Sequence, residues 1–151
     1  FGTTIEPENY VAGIKIEMIG KESPFGPNTA WLTGFEKTTF GKMIQKNLAG
    51  SEFQVFPDPY DKYNLFYRSD NAALAKLGIP AHTFSTSPMD KDSDYHKVTD
   101  EVSTLKPSTI TTTIRAIIRG TESIIMGKDT PSRPRVTMEM QWFNNNLFFD
   151  S

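Results

Sequence analysis

The sequence predicts a layered α/β domain built on a mixed, largely parallel sheet. Three observations carry that prediction. Short apolar, β-branched runs alternate with segments whose apolar residues recur at helical spacing. Glycines close several of these segments, and proline-rich loops separate them. The 151 residues suit one domain with a core of its own.

The first strand is read from YVAGIKIEMIG, where Val11, Ile14, Ile16 and Met18 lead to Gly20. Such a run reads as a central strand buried on both faces. KESPFGPN follows as a loop, and TAWLTG as a second short strand. TTFGKMIQKNLAG reads as a helix with Thr38 or Thr39 as N-cap and Gly50 just past its end. Phe40, Met43, Ile44 and Leu48 form its apolar face.

FQVFPDPY is a strand limited by Pro57 and Pro59. SDNAALAKLG is a helix capped by Ser69 or Asp70 and stopped at Gly78, and IPAHTFST is the next strand. KPSTITTTIRAIIRGTESIIMG reads as a long helix capped by Ser108, with Ile110, Ile114, Ile117 and Ile118 as its packing stripe. Its three consecutive threonines lower the intrinsic propensity, so tertiary packing must hold it. KDTPSRPR is a loop, and VTMEMQWFNNNLFFDS is an aromatic-rich tail expected to form or dock as a strand.

Composition excludes several functions. A net charge of −2 offers no broad basic surface, which argues against nucleic acid as a partner. No apolar run approaches the roughly 18–20 residues of a membrane span. With no cysteine there is neither a disulfide nor a thiolate metal site. There is no nucleophile elbow and no glycine-rich phosphate loop.

The two histidines differ in setting. His96 lies in a polar loop between Tyr95 and Asp100, where it is either a solvated, merely hydrogen-bonded side chain or an imidazole ligand to a metal, with Asp100 orienting its second nitrogen. An Asx turn or helix cap for DEVSTL accounts equally well for Asp100. His82 sits inside a strand and reads as a core histidine with a satisfied hydrogen bond. Glu17 either points to a sheet edge or pairs with Lys15 or Lys21, or it meets a metal at the strand end. Asp90, Asp92 and Asp94 lack the glycine and glutamate of an EF-hand, so they read as a solvated loop. Glu17, the Tyr67–Asp70 segment and His96 all fall at or after strand ends, where α/β sheets gather ligands.

IKIEMIGK, YRSDNAALAKLGIPAHTFST and DYHKVTDEVSTL occur in this order over roughly residues 9–128. Together they resemble the C-terminal half of the M28 zinc aminopeptidases, in particular the M28-type metallopeptidases of Bacteroidetes. The resemblance implies a three-layer α/β/α, zinc-exopeptidase-like fold and two zinc ions bridged by an aspartate. A metal-held water would attack the peptide carbonyl. By the same resemblance His96 matches the last metal ligand, and Glu17 an acidic ligand of the other zinc, where the family often has aspartate. Tyr95 matches a position beside the substrate carbonyl, able to stabilise an oxyanion. Arg68, Ser69 and Asp70 match a segment bordering the substrate pocket.

The family also carries a His-x-Asp motif and a Glu-Glu pair upstream, and neither occurs in this chain. The expectation is therefore a domain incomplete at its N-terminus. Residues 1–128 form the C-terminal part of the peptidase domain and 129–151 a tail. The chain alone is expected to be inactive and to bind zinc weakly or not at all. Its expected partners are a peptide substrate and the N-terminal half of the same domain, and its expected location is periplasmic or secreted. Two alternatives stand beside this reading: a non-catalytic binding module, and an acyltransferase resembling glutaminyl cyclases.

Overall fold

The structure is a computed structural model that describes residues 6–135. Four strands, β1 (Gly13–Ile16), β2 (Thr29–Leu32), β3 (Gln54–Pro57) and β4 (Ala81–Ser85), form one sheet in the order β1-β4-β2-β3. β1 runs parallel to β4, and β2 parallel to β3, while β2 and β4 are antiparallel. The sheet is mixed. Three helices, α1 (Phe40–Leu48), α2 (Asn71–Lys76) and α3 (Pro107–Ile125), complete the framework.

Side-chain alternation along β4 separates the layers. Phe84 points to the face covered by α1 and α3, where it joins Phe40, Ile44, Leu48, Ile117 and Ile124 in the main apolar core. Burying a side chain of this size contributes about 1.5–3 kcal/mol. His82 points the same way, its ring stacked on Phe40 at 5.0 Å. Thr83 points to the opposite face, where its hydroxyl donates to Asn71 Oδ1 of α2 at 2.9 Å. Helices on both faces make a three-layer α/β/α sandwich, the arrangement that the family resemblance implied.

Two expectations are corrected. Among the described residues β1 is an edge strand rather than a central one, with Ile14 40% and Ile16 45% exposed. An apolar run on both faces looks the same in sequence whether its outer neighbour is present or not. The packing face of α3 is likewise rotated from the Ile110–Ile118 stripe. It consists of Thr113, Ala116, Ile117, Gly120, Thr121 and Ile124, while Ile114 and Ile118 are exposed. Small residues win this face because α1 comes close. A Cβ on Gly120 would lie 2.9 Å from Ile44 Cγ2. Asn47 of α1 fixes the approach, donating to Gly120 O at 2.7 Å and contacting Ser123 Oγ at 2.8 Å.

The caps of α1 and α2 fall where the sequence places them, and that of α3 does not. Thr39 precedes α1 and Asp70 precedes α2, but neither makes a side-chain capping bond. Thr38 contributes instead, accepting from Phe40 N at 3.1 Å. α3 begins at Pro107, which needs no amide partner, and Lys106 rather than Ser108 stands at its N-cap. Beyond α3, Ser132 and Thr39 exchange two hydrogen bonds. The Arg133 guanidinium donates to carbonyls of Pro7, Glu8, Tyr10 and Gly78. The strand expected in the tail falls on residues 136–151, outside the described residues.

Candidate functional site

A cleft of about 450 Å³ opens at the carboxyl end of β1, on the face of the sheet that carries α2. Lys15 and Glu17 come from β1 and its exit, Trp31 and Thr33 from β2 and its exit, and Ser69 and Asp70 from the two positions just before α2. Tyr95 enters from the loop after β4. The alternation of β2 sends Ala30 and Leu32 into the apolar core, which leaves Trp31 and Thr33 on the cleft side.

Four side chains singled out from the sequence thus meet Tyr95 along one cavity: Glu17, Arg68, Ser69 and Asp70. Glu17 is held from two sides. Its Oε1 accepts from Ser69 Oγ at 2.8 Å, and its Oε2 lies 2.8 Å from the Lys15 ammonium. Lys15 also reaches Asp70 Oδ2 at 2.7 Å. Burial alone would lower the Lys15 pKa, but its bonds to Asp70 and Glu17 prevail and hold it above the ordinary lysine value. Ser69 is itself seated through Thr83 and Asn71, whose amide donates to the Phe66 and Ala81 carbonyls. Arg68 is exposed at the rim and donates to Tyr63 O at 3.3 Å.

His96 stands beside the cleft rather than in its lining. Its ring stacks on Tyr95 with centroids 4.0 Å apart, and its backbone has φ +57°. Asp100 lies in the same exposed loop, with Oδ1 3.9 Å from the Lys21 ammonium. The acidic stretch before His96 is not simply solvated, which corrects the reading of Asp90, Asp92 and Asp94. Lys21 pairs closely with Asp92 and lies 3.1 Å from Asp94, while Tyr60 donates to Asp90 at 2.9 Å. Burial would raise the Asp92 pKa, but the Lys21 ammonium and the Asp94 amide hold it below the usual carboxylate range. Burial, reinforced by the bond to Asp90, pushes the Tyr60 phenol up to about 12.

His82 is the core histidine its strand position implied. Its Nδ1 and Nε2 lie 2.8 Å from Thr33 O and Thr38 Oγ1, respectively, and the side chain is fully buried. Burial lowers its pKa to about 4, despite the opposing bond to the Thr33 carbonyl.

Sequence reasoning missed Lys15, Trp31, Thr33, Tyr63, Leu65 and Met89 as parts of the cleft. For Trp31 and Thr33 the signal was present in the alternation of TAWLT; for Tyr63, Leu65 and Met89 no local pattern marks them.

Zinc has no closed site among these side chains. Among the described residues, no group of three His, Asp or Glu residues could hold a metal ion. The oxygens of Glu17 are already engaged by Ser69 and Lys15.

A mixed-sheet α/β sandwich with a polar cleft at a strand's carboxyl end has the architecture in which α/β domains place their ligands. The comparison with protein families is more specific: the model of peptidase family M28 matches residues 3–121. The chain belongs to peptidase family M28. No curated protein and no solved structure matches it. The family is one of peptidases, generally zinc-dependent. No helix among the described residues is long and apolar enough to cross a membrane.

Proposed function

We propose that this chain supplies one side of the active site of a zinc-dependent aminopeptidase acting in the periplasm or outside the cell. The observation that carries this reading is the cleft itself. Glu17, the Arg68–Asp70 segment and Tyr95 come from three separated stretches of sequence, and all five residues line one cavity. His96 stacks directly against Tyr95. In this reading Glu17 and His96 are ligands contributed to the metal centre, and Tyr95 donates a hydrogen bond to the developing oxyanion. Asp100, in the same loop, would orient the second nitrogen of His96. Arg68, Ser69 and Asp70 border the bound peptide, while Trp31, Leu65 and Met89 offer apolar surface to a side chain.

Zinc in the completed site would polarise the scissile carbonyl and supply an activated water. The residues of this chain hold and orient the substrate, and Lys15 must release Glu17 for the metal to bind. Among the described residues no strand pairs with the outer edge of β1, and its exposed Val11, Ile14, Ile16 and Met18 support an additional strand from the N-terminal half of the same domain. Intact-mass analysis and the reading frame upstream of Phe1 test this directly. A His-x-Asp motif followed by Glu-Glu should be encoded there; an open reading frame starting at Phe1 would sink the proposal.

A second reading, a non-catalytic binding module of the same family, draws on the Lys15–Glu17 and Lys15–Asp70 contacts. In that case the lysine replaces a metal permanently. Zinc titration of the complete protein separates the two, because only the peptidase reading predicts stoichiometric binding lost in Glu17→Gln. An acyltransferase of the glutaminyl-cyclase type would cyclise N-terminal glutamine rather than release amino acids.

A further inference from the structure

The loop that carries Tyr95 and His96 begins and ends on the same short turn. At its start, Thr86 N donates to Met18 O at 3.2 Å, and the Thr86 hydroxyl donates to Lys21 O. At its end, Lys106 N donates to Gly20 O at 2.7 Å. The 18–21 turn is also the direct continuation of β1 beyond Glu17. Between those two backbone anchors lie nearly twenty residues with one short 3₁₀ turn at Val102–Thr104.

The side chain of Lys21 reaches into the middle of this span. Its ammonium pairs with Asp92, lies 3.1 Å from Asp94 and 3.9 Å from Asp100. Asp92 is 5% and Lys21 17% exposed, so this cation is packed beneath the loop rather than waving at its surface. Asp92 Oδ1 also accepts from Asp94 N at 3.1 Å, which turns the chain toward Tyr95.

We infer that Lys21 is a positioning residue, an internal cation that fixes the Tyr95–His96 loop against the strand end bearing Glu17. The inference rests on the reading of Tyr95 and His96 as site residues. It goes further by assigning the register between the two sides of the site to one ammonium. Carboxylates at 92, 94 and 100 would otherwise repel one another across the loop. With Lys21 among them they converge, and the loop closes over the 18–21 turn. Lysine suits the place because a compact ammonium donates in three directions.

Amide hydrogen exchange of the metal-free chain, read by mass spectrometry, tests this. Lys21→Met should speed exchange at least about tenfold in peptides spanning 88–104 and leave α1 and α3 at wild-type rates. Lys21→Arg, which keeps the charge, should retain most of the protection. Unchanged exchange in Lys21→Met overturns the inference, as does equal loosening of α1 and α3. If Lys21→Met does not fold, Asp92→Asn removes one charge of the pair and should loosen the same peptides; wild-type protection there overturns the inference equally. Because no metal is added, failure of the clamp leaves the ligand reading of His96 standing. Conversely, a His96→Ala parent that retains full zinc content and activity would remove the ligand role without touching the clamp.

Discussion

Acid should unfold this domain partly through one buried imidazole. His82 is fully enclosed between Phe40, Phe66, Thr33 and Thr38, and its pKa falls from 6.5 to about 4. Above about pH 6.5 both folded and unfolded chains hold the ring neutral, and it adds no pH dependence. Between about 6.5 and 4 the unfolded chain takes up a proton that the folded chain refuses, so stability falls as pH falls. Below about 4 both forms are protonated and this contribution levels off. At about 1.4 kcal/mol per pH unit, the full window is worth about 3 kcal/mol, a substantial part of a typical domain's stability.

Urea denaturation followed by circular dichroism, at steps from neutral pH to about pH 4, reads the effect. Carboxylates also titrate toward the lower end, so the comparison is with His82→Asn. That variant should lose about 2 kcal/mol at neutral pH from the vacated ring volume. Its stability should then decline more gently than the wild type's through the window. Parallel declines would refute the assignment of this acid sensitivity to His82.

Three further outcomes follow from packing. Gly34 has φ +61°, and a Cβ there would lie 2.1 Å from Phe66 Cδ2; Gly34→Ala should cost about 2–3 kcal/mol in chemical denaturation, and a neutral effect would contradict the close approach. Gly120→Ala gains about 1 kcal/mol of helix propensity but presses on Ile44; a net loss of about 1 kcal/mol is expected, and a raised melting temperature would show that α1 and α3 have room. Arg133→Ala removes donors to the carbonyls of Pro7, Glu8, Tyr10 and Gly78. Limited proteolysis should then cut near residues 6–12 sooner, with stability lower by about 1–2 kcal/mol; unchanged cleavage would count against that tether.

The sequence was informative where local pattern and tertiary placement agree. All four strands and three helices lie where alternation, helical spacing and terminal glycines put them. α3 misled because isoleucines lie on two of its sides, and only the approach of α1 selects the side carrying Ala116 and Gly120. The edge position of β1 was hidden for a similar reason, since periodicity reports apolar faces and not neighbours. In the cleft, Glu17 and the Arg68–Asp70 segment were marked by their place after strands. The pairing of Lys21 with Asp92 joins residues 71 positions apart, and no local spacing announces it. Lys15 stands two residues from Glu17, close enough in sequence to suggest their pairing, but its second bond to Asp70 depends on how α2 docks on β1.

The central claim is that Glu17 and His96 belong to one zinc peptidase site. The most direct measurement is hydrolysis of an aminoacyl p-nitroanilide by the complete encoded protein, with zinc content determined on the same samples. A chelator should remove the activity and zinc restore it, with both activity and zinc content sharply reduced in Glu17→Gln and His96→Ala. Full zinc content and undiminished turnover in both variants would contradict that claim.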